Sequence, residues 1–271
     1  MTESIGFVGA GRVGKGLSLA LSRVGCRISG ISSRSGPVAA QQLVDESDIV
    51  FLTVPDDAIR AVAGSLRWRK GVAAVHCSGA AELDVLRPAK DQGAAVGGFH
   101  PLQMFADPEV AAAGLAGCAI AVEADEPLLS ILMNLVERLK ARALRIPPGG
   151  RAAYHAAAHH VAAFLCASFD EAIAIWERIG ISPGDALPAL LPLARGALDA
   201  NERSGPARAM AGSIARGDLA TVARHLDALG GLGPEFRERY RMMAARVVPL
   251  ALQAGGIDER RARELRRLLS D

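Results

Sequence analysis

Short apolar runs and longer stretches of helical periodicity alternate through the first half of the chain. The runs at 5–8, 27–32, 49–54, 72–76, 94–99, 118–123 and 143–146 mostly lack polar alternation, which is the pattern of strands buried on both faces. Between them, 12–24, 37–44, 57–66, 82–91 and 126–139 repeat their apolar positions with a helical period. These stretches are long enough to cross over a sheet. The alternation predicts an α/β fold with a doubly wound, mostly parallel sheet.

Beyond residue 146 the strand signals stop, and Pro147-Pro148-Gly149-Gly150 punctuates the chain. The predicted division is 1–149 for the sheet domain and 150–271 for an all-α domain. A long helix is expected over 151–179, ending at Gly180. Its window 152–169 approaches the length of a membrane span but contains Tyr154, His155, His159 and His160. Polar groups of this kind are costly in lipid, so burial against protein is the expectation and no membrane partner is predicted. Ser182-Pro183-Gly184-Asp185 offers a cap, a proline at the first helical position and an acid for a second helix. Pro188 and Pro192 should bend that helix. Asp218 opens another through Val222, Leu226 and Leu229, and two more are expected over 234–254 and 258–269, the last a solvated, charged one.

Composition narrows the function classes. Lys and Arg number 31 against 29 Asp and Glu, a formal charge of +2, too balanced for the one-signed field that nucleic acid requires. The four cysteines, Cys26, Cys77, Cys118 and Cys166, have no metal-ligand spacing, and the first residues lack the basic start and small-residue cleavage site of a secretory signal. Reduced thiols in a cytoplasmic protein are the expectation.

Gly9-Ala10-Gly11-Arg12-Val13-Gly14 follows the first strand and opens a helix, the context in which GxGxxG binds a dinucleotide. The first glycine permits a tight turn, the second lets the backbone approach a pyrophosphate, and the third packs helix on strand. Free amides at the helix start, including those of Arg12 and Val13, hold the phosphates. At the end of the second strand Ile31-Ser32-Ser33-Arg34-Ser35 has no acid to bind ribose hydroxyls. Arg34 suits a 2′-phosphate, with Ser32 and Ser33 as hydroxyl donors, so NADP is the expected cofactor. The alternative is a solvated loop arginine. Val54 and Pro55, where the third strand ends, are counted with the cofactor-binding residues, and Asp56 is read as a cap of the next helix.

The fourth and fifth strands end in His76-Cys77-Ser78-Gly79 and Phe99-His100-Pro101. Ligands in open parallel sheets sit outside the carboxyl ends of strands. Ser78 is read equally as a helix cap or as a hydrogen-bond partner of a ligand, Cys77 as a packed thiol, and His100 as a functional residue beside open space. Near the start of the long helix stand Tyr154-His155-Ala156-Ala157-Ala158-His159. His155 and His159 share a helical face, but no glutamate occupies the zincin position, so no metal is expected. Hydride reduction of a C=O or C=N needs a proton at the heteroatom, and imidazole titrates near neutrality. The ranking is His155 as donor and His100 as the group that orients substrate, with a packing role as the alternative for His155.

Taken together with Ile214-Ala215-Arg216-Gly217-Asp218, these motifs cover essentially the whole chain. The chain resembles a family of NADP-dependent oxidoreductases that join a Rossmann-like domain to a helical domain of unknown function. This family is related to pyrroline-5-carboxylate reductase, ketopantoate reductase and the 6-phosphogluconate dehydrogenase group. The resemblance implies an NADP-dependent reductase of a small carbonyl or imine substrate, a ketopantoate-like keto acid first among them, and a homodimer formed through the helical domain. Where that superfamily often has a Lys followed by an Asn, this chain has His155 and His159, and Ala162-Ala163 stand where many relatives have Ser-Asn. His100-Pro101 is also similar to a motif of prephenate and arogenate dehydrogenases, and a dinucleotide-binding sensor without turnover is a third possibility.

Overall fold

A computed structural model describes residues 3–33 and 38–270. It divides into two compact units, Met1–Ala162 and Ala163–Asp271. The first alternates strands and helices in the order β1 (Ser4–Val8), α1 (Arg12–Arg23), β2 (Arg27–Ser32), α2 (Ala40–Glu46), β3 (Ile49–Leu52), α3 (Ile59–Ser65), β4 (Ala73–His76) and α4 (Arg87–Lys90). It continues with β5 (Ala95–Pro101), α5 (Pro108–Ala113), β6 (Ala119–Ala124), α6 (Leu128–Arg138), β7 (Arg142–Leu144) and α7 (Arg151–Val161).

All seven expected strands pair into one sheet of order β2-β1-β3-β4-β5-β6-β7. Every pairing is parallel except β5 with β6. The inner strands β1, β3 and β4 are buried at every residue, which is why they read as unbroken apolar runs; the edge strand β7 is exposed throughout. Successive residues point to opposite faces. One face packs Phe7, Phe51 and Phe99 against Leu17 and Leu21 of α1 and Leu132 and Leu135 of α6, with Phe7 stacked on Phe51 at 5.2 Å. The other packs Val8, Val50, Leu52 and Ala74 against Leu43, Ile59 and Leu86.

The second unit contains α8 (Ala163–Arg178), α9 (Pro183–Ala209), α10 (Leu219–Leu232), α11 (Pro234–Gln253) and α12 (Glu259–Ser270). Ser182 and Asp218 cap α9 and α10 as expected, accepting from the amides of Asp185 and Thr221. The core joins Val222 and Leu226 of α10, Ala244 and Val248 of α11, and Ala262, Leu265 and Leu269 of α12.

Several expectations need correction. The helix expected over 151–179 is interrupted at Ala162 (φ −118°, ψ −81°), and nothing in the local sequence explains the break. The compact division follows this break, one helix later than the proline-glycine segment. The apolar window 152–169 is not buried: no residue of α8 is buried, and Arg151 alone is buried in α7. By length and composition Arg151–Arg178 could cross a membrane, although the break and the charges of Arg151, Asp170 and Glu171 count against a span. Helical dihedrals in α9 persist through Pro188 and Pro192 and fail at Gly205 (φ 74°), directly before Pro206, where the ring disfavours helix in the preceding residue. Helix α12 is charged on one side only, because its apolar residues recur with helical spacing and build the core.

Candidate active site

The turn between β1 and α1 lies where strand order reverses, between β1 and β3, the switch point at which doubly wound sheets open a crevice. Each glycine of the motif answers a different constraint. Gly9 has φ +119°, and a Cβ there would meet the Thr53 carbonyl oxygen at 2.6 Å. A Cβ on Gly14 would strike the Gly9 carbonyl and lie 2.7 Å from Thr53 Oγ1. That hydroxyl donates to the Gly9 carbonyl at 2.7 Å, so Thr53 ties β3 to the turn. Among the described residues, a Cβ at Gly11 would find only the Thr53 oxygen, 3.9 Å away. The described residues do not need this glycine for their packing and leave the space beside it open.

Gly11 begins α1 without a side-chain cap, and no acid stands in the first turn. Unpaired amides and the helix dipole favour an anion there, with exposed Arg12 adjoining. Gly9 donates its amide to the Ser32 carbonyl at 3.0 Å, which brings Ser32 and Ser33 to the same edge. Val54 and Pro55 follow Thr53 on the neighbouring strand end. Arg34 lies outside the described residues. These features fit the pyrophosphate of a dinucleotide.

Two strands further along, Ser78 is engaged on all sides. Its hydroxyl donates to Asp56 Oδ2 at 2.6 Å and accepts from the amides of Ala80 and Ala81 at 3.2 and 2.9 Å. It is therefore a turn cap that also joins the ends of β3 and β4. Asp56 does not cap the turn that follows it, which has no side-chain cap; its carboxylate serves Ser78 instead.

Gly79, next in sequence, lies beneath the imidazoles: a Cβ there would meet His155 Cδ2 at 2.5 Å and His100 Nε2 at 2.8 Å. His100 and His155 meet edge to face at 5.5 Å, and His155 meets His159 at 4.9 Å. His100 Nδ1 shares a 2.9 Å hydrogen bond with the Tyr154 hydroxyl. Burial, then the charges of His155 and Arg151, push the His100 pKa down to about 4, with Asp56 opposing. Burial likewise raises the Tyr154 and Cys77 pKa values, in keeping with a packed Cys77 thiol.

The sequence reading missed Arg151. Only 1% exposed, it pairs through Nε with Glu123 Oε2 at 2.8 Å and through Nη1 with the Ser78 carbonyl at 3.2 Å. The readable signal was a cation in the first turn of a helix, where the dipole is unfavourable to it and a specific partner is needed. Among the described residues no group of three or more His, Cys, Asp or Glu could hold a metal ion.

Residues 2–101 match the model of a Rossmann-like domain, and residues 118–247 match that of a domain of unknown function, DUF2520. No curated protein matches by sequence. Among solved structures, a Bacteroides fragilis protein described as an NADP oxidoreductase is 19% identical, with a TM-score of 0.73 over 90% of this chain and 97% of its own. A Thermotoga maritima protein is 22% identical, with a TM-score of 0.71 over 92% and 98%. A Plasmodium falciparum pyrroline carboxylate reductase with NADP bound is 12% identical, with a TM-score of 0.62 over 98% of each chain. The glycine turn and strand order agree with the first model and the helical second half with the second: the chain carries a Rossmann-like domain followed by a region that matches DUF2520.

Proposed function

We propose that the protein is an NADP-dependent oxidoreductase that reduces the carbonyl or imine of a small molecule, with a ketopantoate-like keto acid the first substrate to try. The observation that carries this reading is the open space at Gly11, at an uncapped helix start and on the same sheet edge as the His100, Tyr154 and His155 cluster. The NADP in the names of the Bacteroides fragilis and Plasmodium falciparum proteins supports it.

Gly9, Gly11, Arg12, Val13 and Gly14 would receive the pyrophosphate, Ser32, Ser33 and Arg34 the 2′-phosphate, and Val54 and Pro55 would border the cofactor at the end of β3. When bound, NADPH supplies the hydride. His155 supplies the proton at the substrate heteroatom, and His100, uncharged and held by Tyr154, orients the substrate by hydrogen bonding. Ser78, through Asp56, fixes the turn that carries Gly79 beneath both rings.

Titration with NADPH and NADH, followed by NADPH consumption on a panel of 2-keto acids and cyclic imines, tests this reading. Expected are tighter binding of NADPH, its loss in folded Gly11→Val, and turnover of a panel member. Retained NADPH binding in Gly11→Val would put the cofactor elsewhere, and binding without turnover would favour a sensor. We also infer a homodimer through the helical half, supported by the exposed Leu187, Leu193 and Leu198 of α9, and a cytoplasmic setting, supported by four free cysteines. Light scattering at micromolar concentration tests the dimer.

A further inference from the structure

We propose that Arg151 is the positioning residue of this site: it fixes the first turn of α7 on the sheet edge so that Tyr154 holds His100 and His155 lies against it. The inference rests on the reductase reading for its chemistry and on Arg151 alone for its geometry.

Arg151 is the first residue of α7, and its side chain is directed down into the sheet domain. Its guanidinium joins Glu123 of β6 to the Ser78 carbonyl after β4, while its own backbone amide donates to Glu82 Oε1 at 3.2 Å. Three residues from two segments, β6 and the stretch after β4, thereby grip one residue. Gly98 makes this possible, because a Cβ there would strike the Arg151 guanidinium. Nη2 has no hydrogen-bond partner among the described residues. A buried, incompletely paired cation is costly to keep, so it is not explained as a stabilising pair alone.

The helix transmits this anchor. Three residues after Arg151 comes Tyr154, whose hydroxyl meets His100, and four after it comes His155, whose ring lies edge-on to His100. Residues at these spacings share a helical face. The groups that face His100 are Arg151, Tyr154 and His155 from α7, Asp56 after β3, and His76 from β4. Asp56 alone favours a charged His100; burial, then the charges of His155 and Arg151, oppose it. An uncharged His100 can share Nδ1 with Tyr154, while its ring lies edge-on to His155 at 5.5 Å.

The test uses the full-length, nucleotide-free protein and follows the imidazole proton and carbon signals by NMR from pH 8 to pH 4.5, with His100 assigned through His100→Gln. Arg151→Gln keeps side-chain donors but removes the charge, and Arg151→Lys keeps the charge. The expected result is that His100 titrates in Arg151→Gln at least about one pH unit, or tenfold in proton affinity, above wild type, with Arg151→Lys close to wild type. An unchanged His100 in Arg151→Gln overturns the proposal. So does a rise of equal size in both variants, which would report disturbed packing. If Arg151→Gln does not fold, a raised His100 in Arg151→Lys overturns it and an unchanged one supports it. Since no cofactor is present, failure of NADPH to bind would refute the reductase reading without touching this result.

Discussion

A histidine that is fully buried with neither ring nitrogen partnered is a cost carried by the folded state. His76 is such a residue: it is 0% exposed, and neither nitrogen has a hydrogen-bond partner among the described residues. Burial first, then Arg151 and His100, push its pKa down to about 3. The unfolded chain takes up that proton near pH 6.5 and the folded chain does not, so stability is intact above about pH 6.5 and drains away as pH falls toward the folded value. At pH 5 the loss from this one residue is about 2 kcal/mol, and His100 adds to it. His76→Leu removes both the proton uptake and the unsatisfied nitrogens. Thermal melts should show wild type losing far more Tm between pH 7.5 and 5 than His76→Leu, and parallel losses would show that His76 is not the source. Cofactor choice is also decided at single residues. If Arg34 binds the 2′-phosphate, Arg34→Ala should weaken NADPH binding by about 10- to 100-fold, a charge-assisted bond of roughly 1.5–3 kcal/mol. NADH binding should barely change; equal losses for both nucleotides would remove Arg34 from the site.

At the scale of elements, the inner strands were legible because doubly covered strands cannot hide their apolar runs, and the glycine turn because the tight fits at Gly9 and Gly14 and the space at Gly11 fall on fixed spacings. Helix α5 was missed although Asp107 and Pro108 carry its signal: the Asp107 carboxylate accepts from the amides of Glu109 and Val110 at 2.9 and 3.0 Å. Six residues are too few to show a period. The meeting of His100 with His155 was not foreseen, although the two were ranked together as substrate-orienting group and proton donor. Which carboxylate a buried arginine such as Arg151 finds is a tertiary matter that no local pattern records. Asp56 was misread for the same reason, since an acid after a strand looks like a cap whether it binds its own turn or a serine on the next strand. Local signals do govern α10. There the Asp218 carboxylate accepts from the Thr221 amide at 3.0 Å and the Thr221 hydroxyl at 2.7 Å. Asp218→Ala should destabilise α10, read as a lower denaturant midpoint for the helical unit, while Asp218→Asn, which can still accept, should recover most of the loss.

For the whole molecule the decisive fact is that the two units have separate cores. Every candidate cofactor and proton-transfer residue lies in Met1–Ala162, whereas Leu226, Val248 and Leu265 build a core wholly within Ala163–Asp271. A ligand that binds only the folded first unit stabilises that unit by mass action, about 2.7 kcal/mol at a hundredfold excess over Kd. A cavity in the second core acts elsewhere: Leu265→Ala, at a fully buried position, should cost about 2–5 kcal/mol. Calorimetry with and without NADPH on wild type and Leu265→Ala separates the two effects. The nucleotide should raise a transition that the substitution leaves in place, and the substitution should lower one that the nucleotide does not move. NADPH affinity at low temperature, where both proteins are folded, should be the same for each. A single transition that shifts with both perturbations would instead show that the two cores melt as one cooperative unit.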